Sequence, residues 1–337
     1  MVVASLDSSQ LTRLVVSGRS RLINADKPHL WKQDIFASVQ QYNTWFLDAA
    51  PKAYRETRAK TIDQVKAAFG WTKDMSDITP ATLRAHPEVL QTLRMSTAPP
   101  IARDRLVGLA HSTKALVKTL EEGRLPPRMR ESMLSEHLDR ICGVLAELLD
   151  LDLFSWLSLN VPADARHREL ASTVVADRLC GAVADPIVRN AQEQRQLALI
   201  EDWLIQRGYE KKAHPPSQPL PTMRPGTFAI RMNVWAGAED SGNNVPVDVV
   251  VMPHQPARNN LPVLIEAKSA GDFTNPNKRR KEEAQKVHQL RLTYGDDIPY
   301  LLFLCGYFDP GYLGYEAAEG LDWVWEHRID DLAAAGV

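Results

Sequence analysis

Three charged residues in the second half of the chain have the types and the spacing needed to cleave a phosphodiester bond. Asp248 lies in the segment PVDVVV, and Glu266 and Lys268 lie in LIEAKS, two apolar runs that are typical of β-strands. Side chains alternate between the two faces of a strand, so Glu266 and Lys268 share a face while Ala267 points into the core. If the two strands are neighbours, Asp248 joins that face. We therefore expect one cluster of two carboxylates and a lysine.

The chemistry of such a cluster is metal-assisted hydrolysis. Two nearby carboxylates offer the hard oxygen ligands that Mg²⁺ accepts while it keeps several of its waters. A lysine beside them can orient the attacking water and stabilise the charge that develops on phosphorus. Asp248 and Glu266 are therefore the predicted metal ligands, and Lys268 is the third predicted catalytic residue. An acid two residues before a lysine is common by chance, so the prediction also depends on the surrounding elements.

A polar segment rich in basic residues follows Lys268. Residues 274 and 275 suit the start of a helix, and the run KRRK at 278–281 then falls in its first turns. Cations at a helix N-terminus oppose the macrodipole, and contact with phosphate gives a reason for them. Pairing with Glu282 and Glu283 on a solvated face is the alternative. The predicted DNA-binding residues are Thr274, Asn275, Lys278, Arg279 and Arg280.

An upstream helix offers two further carboxylates, Glu193 and Glu201. They are eight residues apart, and at 3.6 residues per turn they lie within about 80° of each other around the helix. Glu193 is the better candidate for a fourth catalytic residue, because it lies in the polar part of the helix whereas Glu201 is close to Trp203 and Leu204. A solvated surface position stays open for each.

The elements that must position these residues change in character near residue 186. Before it the chain reads as successive helices, separated at prolines and glycines. After it come a helix over 186–206, a proline-rich connection and apolar runs with a period of two. The predicted helices of the first half are 30–47, 54–69, 80–95, 101–122 and 129–157. In the second half we predict strands over 227–235, 245–252, 261–268 and 299–305, and helices over 278–294 and 321–335.

This order predicts a mixed α+β protein with two domains. Residues 1–185 form a helical domain, whose expected role is to clamp DNA, to dimerise or to brace the second domain. Residues 186–337 carry the cluster on an αβββαβ core, in the order helix, strand, strand, strand, helix, strand. A chain of 337 residues exceeds the size at which one core usually stops growing, which also favours two units.

Composition restricts the class of protein. The formal net charge is −2, so any nucleic-acid surface must be local. Cys142, Cys180 and Cys305 have no metal-ligand spacing, and we expect buried free thiols in a reducing cytoplasm. Neither a secretory signal nor an apolar run of membrane-spanning length is apparent, so we expect a cytoplasmic protein without a membrane partner. GxSxG, P-loop and GxGxxG motifs are absent, which leaves serine-hydrolase and nucleotide chemistry without support.

The residues Pro246-Val247-Asp248 and Glu266-Ala267-Lys268, followed by GDFTNPNKRRKEE, resemble the PD-(D/E)XK nuclease superfamily and its type II restriction endonucleases. A valine separates the proline from the acid, which departs from the superfamily's pattern but leaves the acid in place. Over the whole chain the sequence is similar to the XamI restriction endonuclease family. The similarity includes the segments NTWFLDAAP, LRMSTAPPIARDRLVGLA and RNAQEQRQLALIEDWLIQRGY.

The resemblance implies an endonuclease that cuts double-stranded DNA at a short palindromic site related to GTCGAC. It implies Mg²⁺ as cofactor, a homodimer and a cognate DNA methyltransferase as functional partner in a restriction-modification system. It also implies that Asp248, Glu266 and Lys268 are the catalytic three. Two alternatives stay open at this point: a structure-selective or repair nuclease, and a DNA-binding module that does not cleave.

Overall fold

The structure, a computed structural model, describes residues 22–215, 218–237, 242–256 and 260–337, without the side chains of 182–185 and 275–282. The chain divides into two compact units. One is the continuous segment Ala49–Val188, and the other joins the chain up to Asp48 with Arg189–Val337. The second break is close to the expected boundary at 185/186. The first is a difference from the expected helical domain over 1–185, because the residues before Ala49 group with the sheet.

The unit Ala49–Val188 is helical. Its apolar core includes Val65, Leu90, Leu120, Leu138 and Phe154, all fully buried. The first and last helices of the series continue beyond this unit. The helices are α1 Pro28–Trp71, α2 Pro80–Ala85, α3 Val89–Met95, α4 Arg103–Leu109, α5 Lys114–Glu121, α6 Glu131–Glu147, α7 Ser155–Ser158 and α8 Ala165–Gln206.

The other unit contains a six-stranded mixed sheet in the order β1-β2-β3-β4-β5-β6. The pairs β2–β3 and β3–β4 are antiparallel, and the pairs β1–β2, β4–β5 and β5–β6 are parallel. The strands are β1 Glu210–Lys211, β2 Thr227–Ala236, β3 Asn243–Met252, β4 Val263–Ala270, β5 Tyr300–Gly306 and β6 Asp322–Trp325. Helix α9, Asn275–Tyr294, lies between β4 and β5 along the chain, and α10, Pro310–Ala318, between β5 and β6. Short 3₁₀ segments occupy Leu220–Thr222 and Glu326–Ala335.

Helices cover both faces of this sheet. On one face, Leu290 of α9 and Leu313 of α10 pack with Leu302 of β5. On the other face, Ile200 of α8 packs with Phe303 of the same strand. All seven residues of β5 are buried, as its uninterrupted apolar sequence predicts for a strand that is covered on both faces. The expected mixed α+β class is confirmed, and the predicted order from α8 through β2, β3, β4, α9 and β5 is present.

Residues 22–48 join the sheet unit through specific polar contacts. The Asp322 carboxylate accepts hydrogen bonds from the backbone N–H groups of Ile23, Asn24 and Ala25, the last two at 2.9 and 3.0 Å. Asp34 forms an ion pair with Arg328 at 3.0 Å. Because Asp322 belongs to β6 and Arg328 to the segment after it, these contacts bond residues 23–34 to residues 322–328.

Three local differences from the sequence-based prediction have identifiable causes. Pro51 and Pro186 lie inside α1 and α8, where helix breaks were expected, because a proline removes one N–H from a helix but does not have to end it. The predicted terminal helix over 321–335 is instead β6 and a 3₁₀ segment. In β6, Trp323 and Trp325 pack on one face of the sheet and Val324 on the other, and the strand pairs with β5 through Leu302↔Trp323.

The three cysteines are free and buried, as expected. In the part of the chain that the structure describes, no helix is both long enough and apolar enough to cross a bilayer.

Candidate active site

Asp248 lies where β3 separates from β4. The ladder between these strands runs from Val251↔Val263 to Val249↔Ile265 and stops one residue before Asp248. In its place the Asp248 Oδ2 atom accepts a hydrogen bond from the Ala267 N–H at 2.9 Å. The carboxylate thus satisfies a backbone donor that the diverging strands would otherwise leave unpaired.

Glu266 and Lys268 continue along β4 beside this opening. In the antiparallel register Asp248 is opposite Glu266, and the alternation along β4 puts Lys268 on the same face. Ala267 packs with the core on the opposite face, as predicted. Asp248 therefore lies beside Glu266 and Lys268 at one point of the sheet, where β3 and β4 part.

Helix α9 supplies an oppositely charged partner to Glu266 and another to Lys268. The Lys286 Nζ atom is 2.6 Å from Glu266 Oε2, and Lys268 forms an ion pair with Glu283. Glu283 also accepts a hydrogen bond from the hydroxyl of Tyr312 at 3.2 Å. All four charged side chains are 11–19% exposed, so these are largely desolvated ion pairs.

Sequence reasoning missed the roles of Glu283 and Lys286. Glu283 and Lys286 are three residues apart and therefore lie on one side of the helix. As with Glu266 and Lys268 on the strand, the acid comes before the lysine. This reciprocal spacing was a usable signal. It was overlooked because charges near a basic run are more often paired within their own helix.

The site concentrates negative charge. Burial and the neighbouring charge of Glu266 raise the pKa of Asp248 to about 6, against the lowering effects of the Ala267 N–H and Lys286. The buried Tyr300 hydroxyl lies near the same two carboxylates, and burial followed by their charges holds its pKa well above the usual value.

The donor set suits a hard divalent cation. Two carboxylates that repel each other in a partly buried position gain from a cation between them, and Mg²⁺ needs only one or two carboxylates because it keeps its waters. Within residues 22–215, 218–237, 242–256 and 260–337, no group of three or more His, Cys, Asp and Glu side chains has metal-binding geometry. Asp248 and Glu266 are the two acids that could hold such a cation at this position.

Of the two upstream acids, Glu193 lies near the cluster. Its charge contributes to the raised pKa of Asp248, and its Oε1 atom is 2.9 Å from Nη2 of Arg231 on β2. Glu201 is instead bound by Lys211, whose Nζ lies 2.8 Å from both carboxylate oxygens.

The expected DNA-binding residues lie at and just after the start of α9. Thr274 is exposed and occupies the N-cap position, with its N–H donated to Asp272 Oδ1 at 2.8 Å. The backbone of Asn275, Lys278, Arg279 and Arg280 is helical, while their side chains lie outside the described part of the structure. DNA contact by these residues stays a prediction.

The fold and the site together define a mixed α+β protein in which two acids and a lysine lie together where β3 and β4 part. Residues 73–325 match the model of the XamI restriction endonuclease family, and the chain belongs to this family. The expected enzyme class, a site-specific deoxyribonuclease of the restriction type, is thereby confirmed.

A characterised relative is also similar along almost the entire chain. The type II restriction enzyme SalI of Streptomyces albus G is 67% identical over 315 residues, which is 94% of this chain and 100% of that protein. Among solved structures, protein VC1899 from Vibrio cholerae is 13% identical, and the alignment covers 74% of this chain and 54% of that one. Its TM-score of 0.26 is too low to inform the fold.

Proposed function

We propose that this chain is a type II restriction endonuclease that requires Mg²⁺ and cleaves both strands of DNA at a palindrome related to GTCGAC. The observation that carries the proposal is the position of Asp248 beside Glu266 and Lys268 at the opening between β3 and β4. The order of elements around this opening supports a PD-(D/E)XK core. Similarity to SalI supports the choice of target, which follows from the resemblance rather than from the geometry.

Each of the three residues has a role that follows from its surroundings. Asp248 and Glu266 hold the cation, and the Ala267 N–H fixes the orientation of the Asp248 carboxylate. Lys268, held by Glu283, orients the attacking water and stabilises the charge that develops on the phosphate. Glu193 is a candidate for an additional acid at the same site. When bound, Mg²⁺ supplies Lewis-acid polarisation of the phosphate.

The quaternary structure and the cellular context follow from the same proposal. A palindromic site is matched by a two-fold symmetric protein, so we infer a homodimer. The enzyme acts in the cytoplasm, and a cognate methyltransferase protects the host DNA without having to bind the enzyme. The helical unit Ala49–Val188 is proposed to clamp DNA, to dimerise or to brace the nuclease unit.

Cleavage of a plasmid that carries one unmethylated GTCGAC sequence tests the proposal. We expect one linear product in Mg²⁺, none in chelator, and ends that map within the palindrome on both strands. Lys268→Gln should abolish cleavage, since glutamine can still hydrogen-bond Glu283 but carries no charge. Lys211→Gln, which removes an ion pair remote from the site, should cut at the wild-type rate.

A protein that leaves this plasmid intact but cuts mismatched or branched DNA would contradict site-specific cleavage of duplex DNA. A protein that binds the duplex and cuts nothing in Mg²⁺ would contradict the proposal that it is catalytic.

A further inference from the structure

Arg231 lies near the middle of β2 in a backbone conformation that is unusual for its residue type. Its φ is +53°, in the left-handed region, and among the described residues it is the one non-glycine residue with a positive φ inside a strand. The pairs Ile230↔Val249 and Met232↔Val247 flank it, so Arg231 stands opposite Asp248. This conformation is unfavourable for an L-residue, and such strain is retained mainly at functional sites.

The positive φ of Arg231 and the position of Asp248 belong to the same local irregularity of the sheet. On β3, Val247 and Val250 pack in the same core although they are three positions apart, an odd step that breaks the normal alternation. The same odd step separates Ala229 from Met232 on the facing strand. On both strands, the alternation of side chains between the two faces of the sheet therefore shifts by one residue at the pair formed by residues 231 and 248.

The Arg231 guanidinium lies at the solvent edge of the acidic cluster. Its side chain is 54% exposed and is paired with Glu193, the acid whose charge acts on Asp248. An ion pair as exposed as this one adds little to stability. The ion pair therefore does not explain why a strained arginine occupies this position.

We propose that Arg231 is a phosphate-binding residue of the active site, held by Glu193 in the free protein and transferred to a backbone phosphate beside Asp248 when DNA binds. The inference rests on the proposed function, because the phosphate belongs to the DNA substrate. A guanidinium presents parallel N–H donors that match two phosphate oxygens. The transfer also frees the Glu193 carboxylate to act with the other acids of the site.

The test compares Arg231→Gly and Arg231→Lys, both in the non-cleaving Lys268→Gln protein, for binding to a duplex that contains GTCGAC. Glycine adopts a positive φ without strain, so the melting temperature of Arg231→Gly should equal or exceed that of its parent. Its affinity should fall about tenfold or more, since a charge-assisted contact is lost. The slope of log K against log salt concentration should decrease by about 0.9, the value for one phosphate contact.

Arg231→Lys keeps one positive charge, so it should keep the parental salt slope and bind with intermediate affinity. The matched control is Arg224→Gly, which removes another exposed arginine that is paired with a glutamate, Glu210. That variant should bind like the parent.

Two results would overturn the inference. One is an Arg231→Gly protein with the affinity and salt slope of its parent, and the other is weaker binding at an unchanged slope together with a lower melting temperature, which indicates a structural role. Cleavage by the otherwise unaltered protein tests the proposed function separately. If that protein cuts GTCGAC while Arg231→Gly leaves the salt slope unchanged, only the inference about Arg231 fails, whereas a parent that binds no DNA would contradict both.

Discussion

Asp248 is subject to opposing influences that set its charge. Burial and Glu266 favour its protonated form, while the Ala267 N–H and Lys286 favour its carboxylate. The first two prevail, and the pKa rises from 3.8 to about 6. An acid with a raised pKa stabilises the fold below its unfolded-state pKa, and this contribution is lost as the pH rises through the folded-state value. Without a cation, ionised Asp248 therefore destabilises the folded protein at neutral pH.

We predict that Asp248→Asn abolishes cleavage but raises the thermal stability of the metal-free protein. The amide oxygen still accepts the Ala267 N–H, and the repulsion from Glu266 is removed. In chelator, the gain should be small near pH 4, grow through pH 6 and reach about 1 to 3 kcal/mol above pH 7. Melting curves across this pH range measure it.

Added Mg²⁺ provides the control for this prediction, since it should stabilise the unaltered protein more than the variant. A stability difference that does not change between pH 4 and 8 would contradict the proposed effect of the Asp248 charge.

Periodicity alone assigns Glu266 and Lys268 to one face, because alternation along a strand depends only on local geometry, whereas Asp248 joins them through the pairing of β3 with β4. The pairing of Glu266 with Lys286 was not predictable in this way, since it depends on how α9 crosses the sheet. Neither was the conformation of Arg231, because a positive φ at an arginine leaves no mark in the sequence. Placement along a strand is therefore predictable from the sequence, whereas contacts that depend on tertiary packing are not.

At the scale of elements, β4 and α9 are joined by two ion pairs of opposite polarity. On β4 the acid precedes the lysine by two residues, and on α9 the acid precedes the lysine by three. Each acid meets the lysine of the other element, so a shift of the helix along the strand would bring like charges together. This pairing fixes the register of α9 against β4 and thereby the position of the Lys268 ammonium group.

We predict that Glu283→Gln lowers kcat about 10- to 100-fold, because a small misplacement of a reacting group has an effect of this size. KM should change little, since Glu283 positions Lys268 and is not expected to touch DNA. Tyr312→Phe removes the hydroxyl that donates a hydrogen bond to Glu283 and should have a smaller effect in the same direction. Steady-state cleavage of an oligonucleotide duplex gives both parameters.

The matched control is Glu201→Gln, whose partner Lys211 lies on the protein surface. A Glu283→Gln enzyme with the wild-type kcat would show that Lys268 does not need this partner.

The elements differed in how well the sequence predicted them. β2, β3, β4 and β5 were located within two residues at each end, because their apolar runs are short and bounded by turns. In the helical half, the predicted helices 80–95 and 101–122 are each two shorter helices in the structure. The breaks expected at Pro51 and Pro186 are absent, because α1 and α8 continue through these prolines. The sequence predicts a helix over β6, because four residues next to an amphipathic stretch give a weak strand signal. These residues form a strand because they pair with the edge of β5.

At the scale of the whole molecule, the sheet unit is built from two segments that are separated in the sequence by the helical unit. Asp322 connects them, since its buried carboxylate accepts three backbone N–H groups of residues 23–25 and is 7% exposed. Trp31 packs against Trp323 with ring centroids 5.4 Å apart and adds an apolar contact. The domain boundaries expected from the sequence did not include this arrangement, because the helical pattern of 30–47 is like that of the helices that follow it.

We predict that Asp322→Ala destabilises the protein by at least about 2 kcal/mol, because it leaves several buried N–H groups without an acceptor. Asp322→Asn keeps one oxygen acceptor and should lose less. Chemical denaturation followed by tryptophan fluorescence is the measurement, with Glu319→Ala as the control for an exposed acid just before β6. Equal losses in the two alanine variants would contradict a connecting role for Asp322.

Because the sheet unit consists of two segments on either side of the helical unit, it can be completed only after the helical unit has been synthesised. The helical unit is one uninterrupted segment and can fold while the ribosome is still adding the strands that follow. Residues 22–48 are synthesised before the helical unit, whereas their partners Asp322 and Arg328 are synthesised after it. A nascent chain that has not reached Asp322 and Arg328 therefore lacks the contacts that close the sheet unit, so we expect DNA cleavage only after these residues have been made.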